Sequence, residues 1–351
     1  MKILLTFDTN YAPHAATVME SIIRNCPEKL EFVVIYFNLN QETQDILTKH
    51  FAEKVKGLEF IQLDAERLVK NVPESVQNCE HITIDMYLRI FAAELLPNDD
   101  HVIYLDCDII VKDNILKIIE GADLSKPVCA TSDYDPAYKL NDLSNRTTKI
   151  PFRTLWIVEA FYYRTYSDLQ MDETAKYFCS AVMILNLSYW RQHKIAEKVM
   201  RFIAENPEKL VAPDQDAMNT VLNGNYFSLD IRWCFLPPRI AIHQNYPEKM
   251  MTDAEKNPAI IHIGGAKKPW TYMCHSRYQK MYKAYRRYTP WPKVEYSDKT
   301  VGKMILKYGF EIVEKIIGTK NIELLKTYLP HREKRWLSKV AKTRIKQSQQ
   351  A

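Results

Sequence analysis

Two carboxylates separated by a single residue follow a short apolar run, and this pattern could hold a divalent cation. Asp106 and Asp108 come directly after Val102–Leu105, a segment whose composition predicts a buried strand. In an extended segment, the side chains of residues i and i+2 point to the same face, about 6–7 Å apart. Magnesium or manganese would offset the repulsion between the carboxylates and could bridge them to phosphate oxygens. The alternative is a turn at the end of the strand in which an aspartate acts as a cap.

The second group that could do chemistry is His262, which lies in an apolar run late in the chain. Two glycines, Gly264 and Gly265, follow it, and then two lysines, Lys267 and Lys268. Glycines let the backbone approach a phosphate closely, and lysines supply compensating charge. An imidazole joining two carboxylates would shift the metal preference from magnesium toward manganese. The alternative is a histidine that forms hydrogen bonds within the core.

Two further polar groups stand near the predicted ends of a strand and a helix. Asp8 and Asn10 follow the first apolar run, where a carboxylate could accept a hydrogen bond from a base and an amide could bind ribose hydroxyls. The alternative for Asn10 is a helix cap. The segment Asp214–Asp216 opens a predicted helix, and its side chains could bind sugar hydroxyls near an anomeric carbon. Capping alone would explain Asp214, but not the glutamine between two acids.

The elements that would position these residues alternate between strand and helix patterns. Strand patterns occur at 3–7, 31–37, 58–63, 101–105, 127–131, 181–187 and 259–263. Helix patterns occur at 13–25, 41–56, 84–96, 153–164, 189–205, 214–223, 275–288, 301–317 and 332–346. This order predicts an α/β fold with a mostly parallel central sheet flanked by helices. Ligands of such sheets bind at the carboxyl ends of the strands, where Asp8, Asp106 and His262 could meet.

Length and composition are those of a globular protein in a reducing compartment. The chain has 351 residues, of which 46% are hydrophobic and 26% charged, enough for one large core or two smaller ones. Its seven cysteines include no Cys-x-x-Cys pair, so neither a disulfide framework nor structural zinc is expected. The N-terminal apolar run stops at Asp8, too early for a signal peptide, and no apolar stretch is long enough to span a membrane.

Taken together, the motifs resemble glycosyltransferase family 8, the family of glycogenin and of bacterial lipopolysaccharide galactosyl- and glucosyltransferases. The matching segments are Phe7–Tyr11, His81–Arg89, Tyr104–Asp108, Val182–Leu187, Asp214–Asp216 and His262–Trp270. They occur in the family's order across about residues 1–275. The resemblance implies a GT-A catalytic domain over 1–275, followed by a helical, basic region over 276–351. It also implies a retaining hexosyltransferase that uses a UDP-sugar, UDP-galactose or UDP-glucose, with Mn²⁺ and with Mg²⁺ as the alternative ion.

The resemblance also assigns site residues, position by position. The expected metal ligands are Asp106, Asp108 and His262. The expected donor-binding residues are Asp8 and Asn10 at uridine, Gly265 and Lys268 at the diphosphate, Arg89 at the sugar, and Cys107, Cys179, Ser180 and Asp216 around them. The expected catalytic residues are Gln215, under the anomeric carbon, with Asp214 and Asp133. The residues expected toward the acceptor are His81 and Asp133.

One segment departs from the family pattern. Many relatives have Phe-Asn-Ala-Gly or Phe-Asn-Ser-Gly before the buried strand, whereas this chain has Phe-Cys-Ser-Ala at 178–181. Cys179 replaces an amide that would form hydrogen bonds in the sugar pocket, and a thiol is a weak donor. The resemblance therefore specifies UDP and metal more closely than it specifies the sugar. For the reaction, we expect front-face attack, since the neutral amide of Gln215 is a poor nucleophile; double displacement is the alternative.

The end of the chain is strongly basic. Seven Lys or Arg and one acidic residue, Glu333, lie between His331 and Lys346, interleaved with apolar residues such as Trp336. Such a helix suits an anionic membrane surface, and a solvated helix or a nucleic-acid contact are alternatives. We expect a cytoplasmic protein, peripheral on the inner face of the cytoplasmic membrane, with no nucleic-acid partner. Its acceptor would be a saccharide or lipid-linked glycan of lipopolysaccharide, lipooligosaccharide or capsule synthesis.

Two other functions fit part of the pattern. A nucleotidyltransferase also uses a metal–carboxylate site, but it needs a triphosphate loop rich in glycine and Arg or Lys. The corresponding segment here, Thr6–Pro13, has neither glycine nor cation. A non-catalytic or hydrolytic UDP-sugar-binding protein is the other alternative, because Cys179 and Ala181 alter the sugar pocket.

Overall fold

A mixed seven-stranded sheet forms the centre of the fold. A computed structural model of the protein describes residues 1–64, 84–137, 164–237, 246–265, 268–274 and 276–317. The strands in chain order are β1 (Lys2–Thr6), β2 (Glu31–Tyr36), β3 (Gly57–Gln62), β4 (His101–Leu105), β5 (Ile109–Val111), β6 (Val128–Tyr134), β7 (Tyr177–Asn186), β8 (Phe227–Ser228) and β9 (Ile260–His262). The large sheet has the order β3-β2-β1-β4-β7-β6-β8. Strand β7 is antiparallel to both of its neighbours, and every other pair in this sheet is parallel.

Helices cover both faces of this sheet. They are α1 (Ala12–Asn25), α2 (Gln41–Phe51), α3 (Ala92–Leu95), α4 (Leu187–His193), α5 (Ile195–Glu205), α6 (Pro213–Leu222), α7 (Glu248–Lys256), α8 (Ser276–Arg286) and α9 (Val301–Ile317). Because strand side chains alternate, Ile3 and Leu5 of β1 pack in the layer that contains α1 and α2. Leu4 packs in the opposite layer, with residues of α4, α5 and α6. The predicted α/β class, mostly parallel and flanked by helices, is therefore confirmed.

A second, two-stranded sheet lies beside the large one. Strands β5 and β9 pair antiparallel, so that Ile109 lies opposite His262. Helix α8 packs against α1 and shares an apolar cluster with Ile110, Ile261 and Ile263. The strand that contains His262 was expected in the central sheet, but it lies in this second sheet instead. Strand β5 has only three residues, too few for a period to be recognised in the sequence.

Several predicted elements differ from the observed ones in extent or type. The predicted helix 84–96 is a 3₁₀ segment at Ile84–Phe91 before α3 begins. Arg89 Nε donates a hydrogen bond to the carbonyl of Met86. In a regular α-helix, this carbonyl would instead accept from the backbone N–H four residues later. The predicted helix 189–205 is two helices, because Lys194 adopts a left-handed conformation with φ 52°. Strand β7 begins at Tyr177 rather than at residue 181, so it contains Cys179 and Ser180.

The C-terminal helices agree with the sequence as far as the structure describes them. Helix α9 has the predicted bounds, and α8 ends two residues before the predicted one. The expected helix 332–346 lies outside the described residues, as do nearly all of the expected helix 153–164 and the candidate acceptor residue His81. Within the described ranges, no helix is both long and apolar enough to cross a bilayer.

Candidate active site

Asp106, Asp108 and His262 converge on one point between the two sheets. Residues 106–108 connect β4 to β5, and Cys107 and Asp108 form a turn instead of the extended segment expected from the sequence. His262 reaches the same point from β9, opposite the first residue of β5. One ligand atom from each of the three side chains lies within 4.8 Å of the other two. The three candidate metal ligands thus come together, but through a turn and a second sheet.

Asp108 is buried between two groups that carry positive charge. Its Oδ2 atom accepts a hydrogen bond from Lys268 Nζ, and its Oδ1 atom lies 3.4 Å from His262 Nε2. Burial raises the pKa of the Asp108 carboxyl, but Lys268 and His262 outweigh it and hold that pKa well below its usual range. Burial likewise opposes a charged His262, yet Asp108 raises the imidazole pKa well above its ordinary value. The ionised Asp108 carboxylate therefore strongly favours positively charged groups beside it.

The residues at this point suit a divalent cation. Asp108 Oδ1 is buried and makes no well-formed hydrogen bond with the part of the chain that the structure describes. Two carboxylates and an imidazole, with ligand atoms within 4.8 Å of one another, form a donor set for manganese or a similar ion. A bound cation would take over the charge balance that Lys268 and His262 otherwise supply to Asp108.

Arg89 links this point to the start of helix α6. Its Nη1 atom lies 3.1 Å from Asp106 Oδ1, and its Nε atom lies 3.2 Å from Asp214 Oδ2. The guanidinium also donates to the Ser180 carbonyl at 2.9 Å, and Tyr104 donates its hydroxyl proton to Asp106 at 2.6 Å. Burial raises the pKa of Asp214 to about 6 although Arg89 opposes this. Arg89 therefore holds the metal-side carboxylate and the helix in one arrangement.

The amide of Gln215 has a fixed orientation at the mouth of the same cleft. Its Oε1 atom accepts hydrogen bonds from the Ser180 backbone N–H at 2.8 Å and from the Ser180 hydroxyl at 3.1 Å. Its Nε2 atom donates to Asp133 Oδ2 and to the Tyr177 hydroxyl, both at 3.3 Å. Gln215, Ser180 and Asp133 are thus neighbours in the structure.

Asp216 has a different place from the one expected. It is completely buried, and its Oδ2 atom accepts from the backbone N–H groups of Val211 at 2.7 Å and Ala212 at 2.9 Å. Its Oδ1 atom accepts from the Tyr177 hydroxyl at 2.5 Å, and Arg164 forms an ion pair with it. Both carboxylate oxygens are therefore occupied by the protein. Asp216 anchors the start of α6, and the expectation of a donor contact was wrong because the side chain points into the core.

Asp8 and Asn10 form a small polar group at the carboxyl end of β1. Asp8 Oδ1 accepts from the Tyr11 backbone N–H at 2.8 Å, and Asn10 Nδ2 donates to Asp8 Oδ2 at 3.1 Å. Asn10 is exposed and does not cap α1, whose N-cap residue is Tyr11. The sequence analysis missed Asp85, whose pKa rises to about 6 through burial and the nearby Asp8. Asp85 lies in the matched segment His81–Arg89, but no role was assigned to it, because only the fold brings it near Asp8.

Each of the two glycines after β9 stands where a larger residue would be disfavoured, but for a different steric reason. A Cβ atom on Gly264 would lie 2.9 Å from His262 Nε2, so only glycine leaves room for the imidazole. Gly265 has φ 75°, a left-handed backbone that glycine adopts without strain. The chain turns sharply after β9 in this way, and Lys268 returns to pair with Asp108.

Aromatic rings hold this loop against helix α1. The Trp270 ring stacks on the His14 ring with centroids 3.7 Å apart and an angle of 11° between the planes. Tyr11 meets the same indole edge-on at 5.6 Å, and His14 Nδ1 shares a hydrogen bond of 2.6 Å with the Tyr282 hydroxyl. Burial lowers the pKa of His14 to about 3. The neutral imidazole is thus a packing surface that positions the loop.

The cysteines expected in the donor pocket face inward instead. Cys107 is buried, and its thiol donates to the Thr6 carbonyl at 3.6 Å. Cys179 is also buried, with its Sγ atom 3.9 Å from His262 Nδ1 and 3.8 Å from the Sγ atom of Cys234. The side chains of Cys107 and Cys179, which were expected among the donor-binding residues, therefore point into the protein. Because strand side chains alternate, Ser180 faces Gln215 while Cys179 faces the back of His262.

The mostly parallel sheet flanked by helices, with an acidic site beside it, has the GT-A architecture found in glycosyltransferases. Comparison with known families agrees. Residues 2–274 match the family described as Glycosyl transferase family 8, and the chain belongs to this family. Family membership makes it a glycosyltransferase, for which a nucleotide-sugar donor and a saccharide acceptor are the expected substrates.

Several distant relatives match this chain over most of their own length. The chain is 28% identical to general stress protein A of Bacillus subtilis (strain 168), over 83% of this chain and 94% of the relative. It is 24% identical to lipopolysaccharide 1,2-glucosyltransferase of Escherichia coli (strain K12), over 81% of this chain and 77% of the relative. Among solved structures, the galactosyltransferase LgtC bound to donor and acceptor sugar analogs superposes with a TM-score of 0.63 at 21% identity. That match covers 81% of this chain and 96% of LgtC.

Proposed function

We propose that this protein is a metal-dependent, retaining hexosyltransferase that moves galactose or glucose from a UDP-sugar to a saccharide or glycolipid. The observation that carries the proposal is the convergence of Asp106, Asp108 and His262 beside Lys268. This group offers a divalent cation two carboxylates and an imidazole, with an ammonium ready for the diphosphate. The relatives named for lipopolysaccharide glucosyl transfer and galactosyl transfer support a hexose donor.

In this proposal, residues 1–275 form the catalytic domain and bind UDP between β1 and the loop after β9. Asp8 and Asn10 hold the uridine, Gly265 and Lys268 contact the diphosphate, and the three converging residues hold Mn²⁺ or Mg²⁺. The bound ion supplies charge stabilisation for the departing diphosphate. The ammonium of Lys268 adds to this charge stabilisation. Gly264 leaves room for the His262 imidazole beside the proposed metal position.

The sugar would lie between Arg89 and Gln215. Arg89 and Asp214 contact its hydroxyls, Gln215 lies under the anomeric carbon, and Asp133 and His81 face the acceptor. Arg89 and Asp214 form an ion pair within the protein, so each is held in position before the sugar binds. Ser180 orients Gln215 through two hydrogen bonds. This preorganisation supports a role in sugar positioning.

Gln215 is badly suited to be a covalent nucleophile. Its amide oxygen is neutral and already accepts two hydrogen bonds from Ser180, which draw electron density away from the lone pairs. Front-face attack does not need a nucleophile at this position. The acceptor hydroxyl approaches on the diphosphate side, and a leaving diphosphate oxygen takes its proton. Retention of anomeric configuration follows from attack on the same face.

Release of UDP tests the proposal directly. Purified protein is incubated with a panel of UDP-sugars, with Mn²⁺, with Mg²⁺ or with a chelator, and UDP is measured. We expect slow Mn²⁺-dependent release from UDP-galactose or UDP-glucose, lowered roughly 100-fold or more by Asp106→Asn and Asp108→Asn. Asp253→Asn, an exposed acid on α7, should behave like the wild type. Binding without release would support a non-catalytic UDP-sugar-binding protein, and pyrophosphate release from nucleoside triphosphates would support a nucleotidyltransferase.

Association with a membrane is part of the same proposal, and helix α9 supports it. Val301, Ile305, Tyr308, Ile312 and Ile316 recur at helical spacing and are 40% to 75% exposed. The opposite side of α9 faces the protein, where Lys307 donates to the carbonyls of residues 272 and 274 and Phe310 is half-buried. The outward side of the helix is therefore its apolar side, and the basic segment 331–346 follows it in the sequence.

Liposome flotation separates a membrane surface from the alternatives for α9. We expect the protein to float with vesicles that contain anionic lipid and to remain below when the vesicles are neutral. The double variant Ile305→Glu/Ile316→Glu should lose flotation, whereas Met250→Glu on α7 should not. Equal flotation of both variants would remove the membrane part of the proposal, including the location on the inner face of the cytoplasmic membrane.

A further inference from the structure

Two buried thiols lie behind the imidazole of His262, on the side away from Asp108. The Sγ atoms of Cys179 and Cys234 are 3.8 Å apart. His262 Nδ1 lies 3.9 Å from the first sulfur and 3.8 Å from the second. The three ligand atoms form a nearly equilateral triangle, built from β7, from the 3₁₀ segment Ile231–Cys234 and from β9.

This triangle has the dimensions of one face of a tetrahedral zinc site. Bond lengths of about 2.3 Å to sulfur and about 2.05 Å to nitrogen give edges of about 3.8 Å between sulfurs and about 3.6 Å between sulfur and nitrogen. The observed sulfur–sulfur edge matches, and the two sulfur–nitrogen edges are only a few tenths of an ångström longer. No backbone movement is needed to bring the ligands to bonding distance.

We propose that Cys179, Cys234 and His262 bind a zinc ion through two thiolates and Nδ1. The chemistry of the ligands selects zinc over manganese, because thiolates are soft ligands and carboxylates are hard ones. Each thiol gives up its proton to solvent as its sulfur–zinc bond forms, and the neutral imidazole contributes the Nδ1 lone pair. Three protein ligands leave one coordination position for water.

The zinc site and the carboxylate site compete for one imidazole. A neutral imidazole has a single nitrogen lone pair, on Nδ1 or on Nε2. Zinc on Nδ1 leaves a proton on Nε2, the atom that faces Asp108 at 3.4 Å. The carboxylate site then loses its nitrogen ligand. Zinc would therefore weaken binding of Mn²⁺, a consequence that rests on the proposed function, whereas zinc binding itself does not.

The sequence contains little indication of this site. The ligands lie at 179, 234 and 262, with no pair at the short spacing typical of structural zinc sites. The expectation that zinc is absent was drawn from this spacing. Only the fold, in which the 3₁₀ segment packs against both β7 and β9, brings the three ligand atoms together.

Cobalt spectroscopy on the full-length protein tests the proposal. The protein is kept reduced by a phosphine, freed of metal by a chelator, and titrated with Co²⁺ and then Zn²⁺. We expect one equivalent of Co²⁺ to give a thiolate-to-cobalt charge-transfer band with tetrahedral d–d bands, and one equivalent of Zn²⁺ to remove them. Absence of the thiolate band in the wild-type protein would overturn the proposal, whatever the variants do.

Matched variants assign the ligands. Cys179→Ser and Cys234→Ser should each weaken zinc binding at least about 10-fold and reduce the thiolate band. Cys129→Ser, a buried thiol that donates to the Asp123 carbonyl, should retain both. Circular dichroism verifies that each variant is folded. Unchanged zinc affinity in Cys179→Ser and Cys234→Ser would contradict the assignment.

Asp108→Asn separates this proposal from the proposed function. It should retain the thiolate band, because it leaves both sulfurs and Nδ1 intact, while it loses Mn²⁺-dependent UDP release. A thiolate band without any metal-dependent UDP release would leave the zinc site standing and reject the proposed function. Metal-dependent UDP release without a thiolate band would reject the zinc site and leave the proposed function standing.

Discussion

The backbone N–H of Ser180 donates to the side-chain oxygen of Gln215 at 2.8 Å, and the Ser180 hydroxyl donates to the same oxygen at 3.1 Å. One residue of β7 thus fixes the amide of a residue on α6. The amide nitrogen is left to face Asp133 and Tyr177. The side chain proposed to lie under the anomeric carbon is therefore held at both ends of its amide, by Ser180 at the oxygen and by Asp133 and Tyr177 at the nitrogen.

Replacement of Gln215 distinguishes positioning from covalent catalysis. If the amide only positions the sugar, Gln215→Ala should lower kcat by roughly 10- to 100-fold and leave measurable turnover. Intact-mass spectrometry under turnover should show no sugar attached to the wild-type protein. Gln44→Ala, on the surface helix α2, is the matched control. Loss of nearly all turnover together with a trapped adduct on Gln215 would reject front-face attack.

A methyl group on Gly264 should disturb the metal site specifically. Its Cβ would lie 2.9 Å from His262 Nε2, so the imidazole must move. We expect Gly264→Ala to raise the Mn²⁺ concentration for half-maximal UDP release by about 10- to 100-fold, the usual effect of disturbing the support of a metal ligand. Gly302→Ala on α9 is the control, because a Cβ there meets nothing within 4 Å. Identical Mn²⁺ dependence in the two variants would mean that His262 is not a ligand.

Removal of Arg89 should cost stability as well as activity. Its buried guanidinium is paired with Asp106 and Asp214, and Arg89→Met leaves both carboxylates without it. We expect the free energy of unfolding to fall by about 3–5 kcal/mol, measured by urea denaturation. Arg277→Met, which breaks an exposed pair with Glu255, should cost less than about 1 kcal/mol. Equal losses in the two variants would show that the buried network contributes no more than a surface pair.

The buried imidazole of His14 should make stability depend on pH. Burial lowers its pKa to about 3 in the folded state, against about 6.5 in the unfolded chain. The unfolded state therefore binds the extra proton between pH 3 and 6.5, and stability rises with pH across this window. On lowering the pH from 7 to 4, we expect a loss of roughly 2–3 kcal/mol from this residue.

The difference between variants isolates the contribution of His14. His14→Gln cannot take up the proton but can still form a hydrogen bond with Tyr282, so its stability should fall less between pH 7 and 4. His193→Gln, at an exposed site on α4, should follow the wild-type curve. Parallel curves for His14→Gln and the wild type would show that His14 is not the group responsible.

The sequence predicted the positions of several strands and helices closely, but it placed the start of β7 four residues late and the end of α2 five residues late. Strand β4 has the predicted bounds, and helix α9 fills its predicted range within the described residues. Strand β2 and helix α1 differ from the prediction by one residue at one end, and β1 is shifted by one residue at both ends. The errors lie where a tertiary contact overrides a local preference. Arg89 takes a helix carbonyl for its own side chain, and Lys194 interrupts a predicted helix without any glycine or proline. Three-residue β5 has too few residues to show a period.

The sequence by itself determined the family and the identity of the candidate metal ligands, because family motifs depend on residue type and order. It could not determine where side chains point. Alternation along β7 sends Cys179 behind His262 and Ser180 toward Gln215, and packing buries Asp216 against Tyr177 and Arg164. Cys234 carries no motif at all. Only the tertiary structure placed it 3.8 Å from His262, because that distance depends on how three separate segments pack.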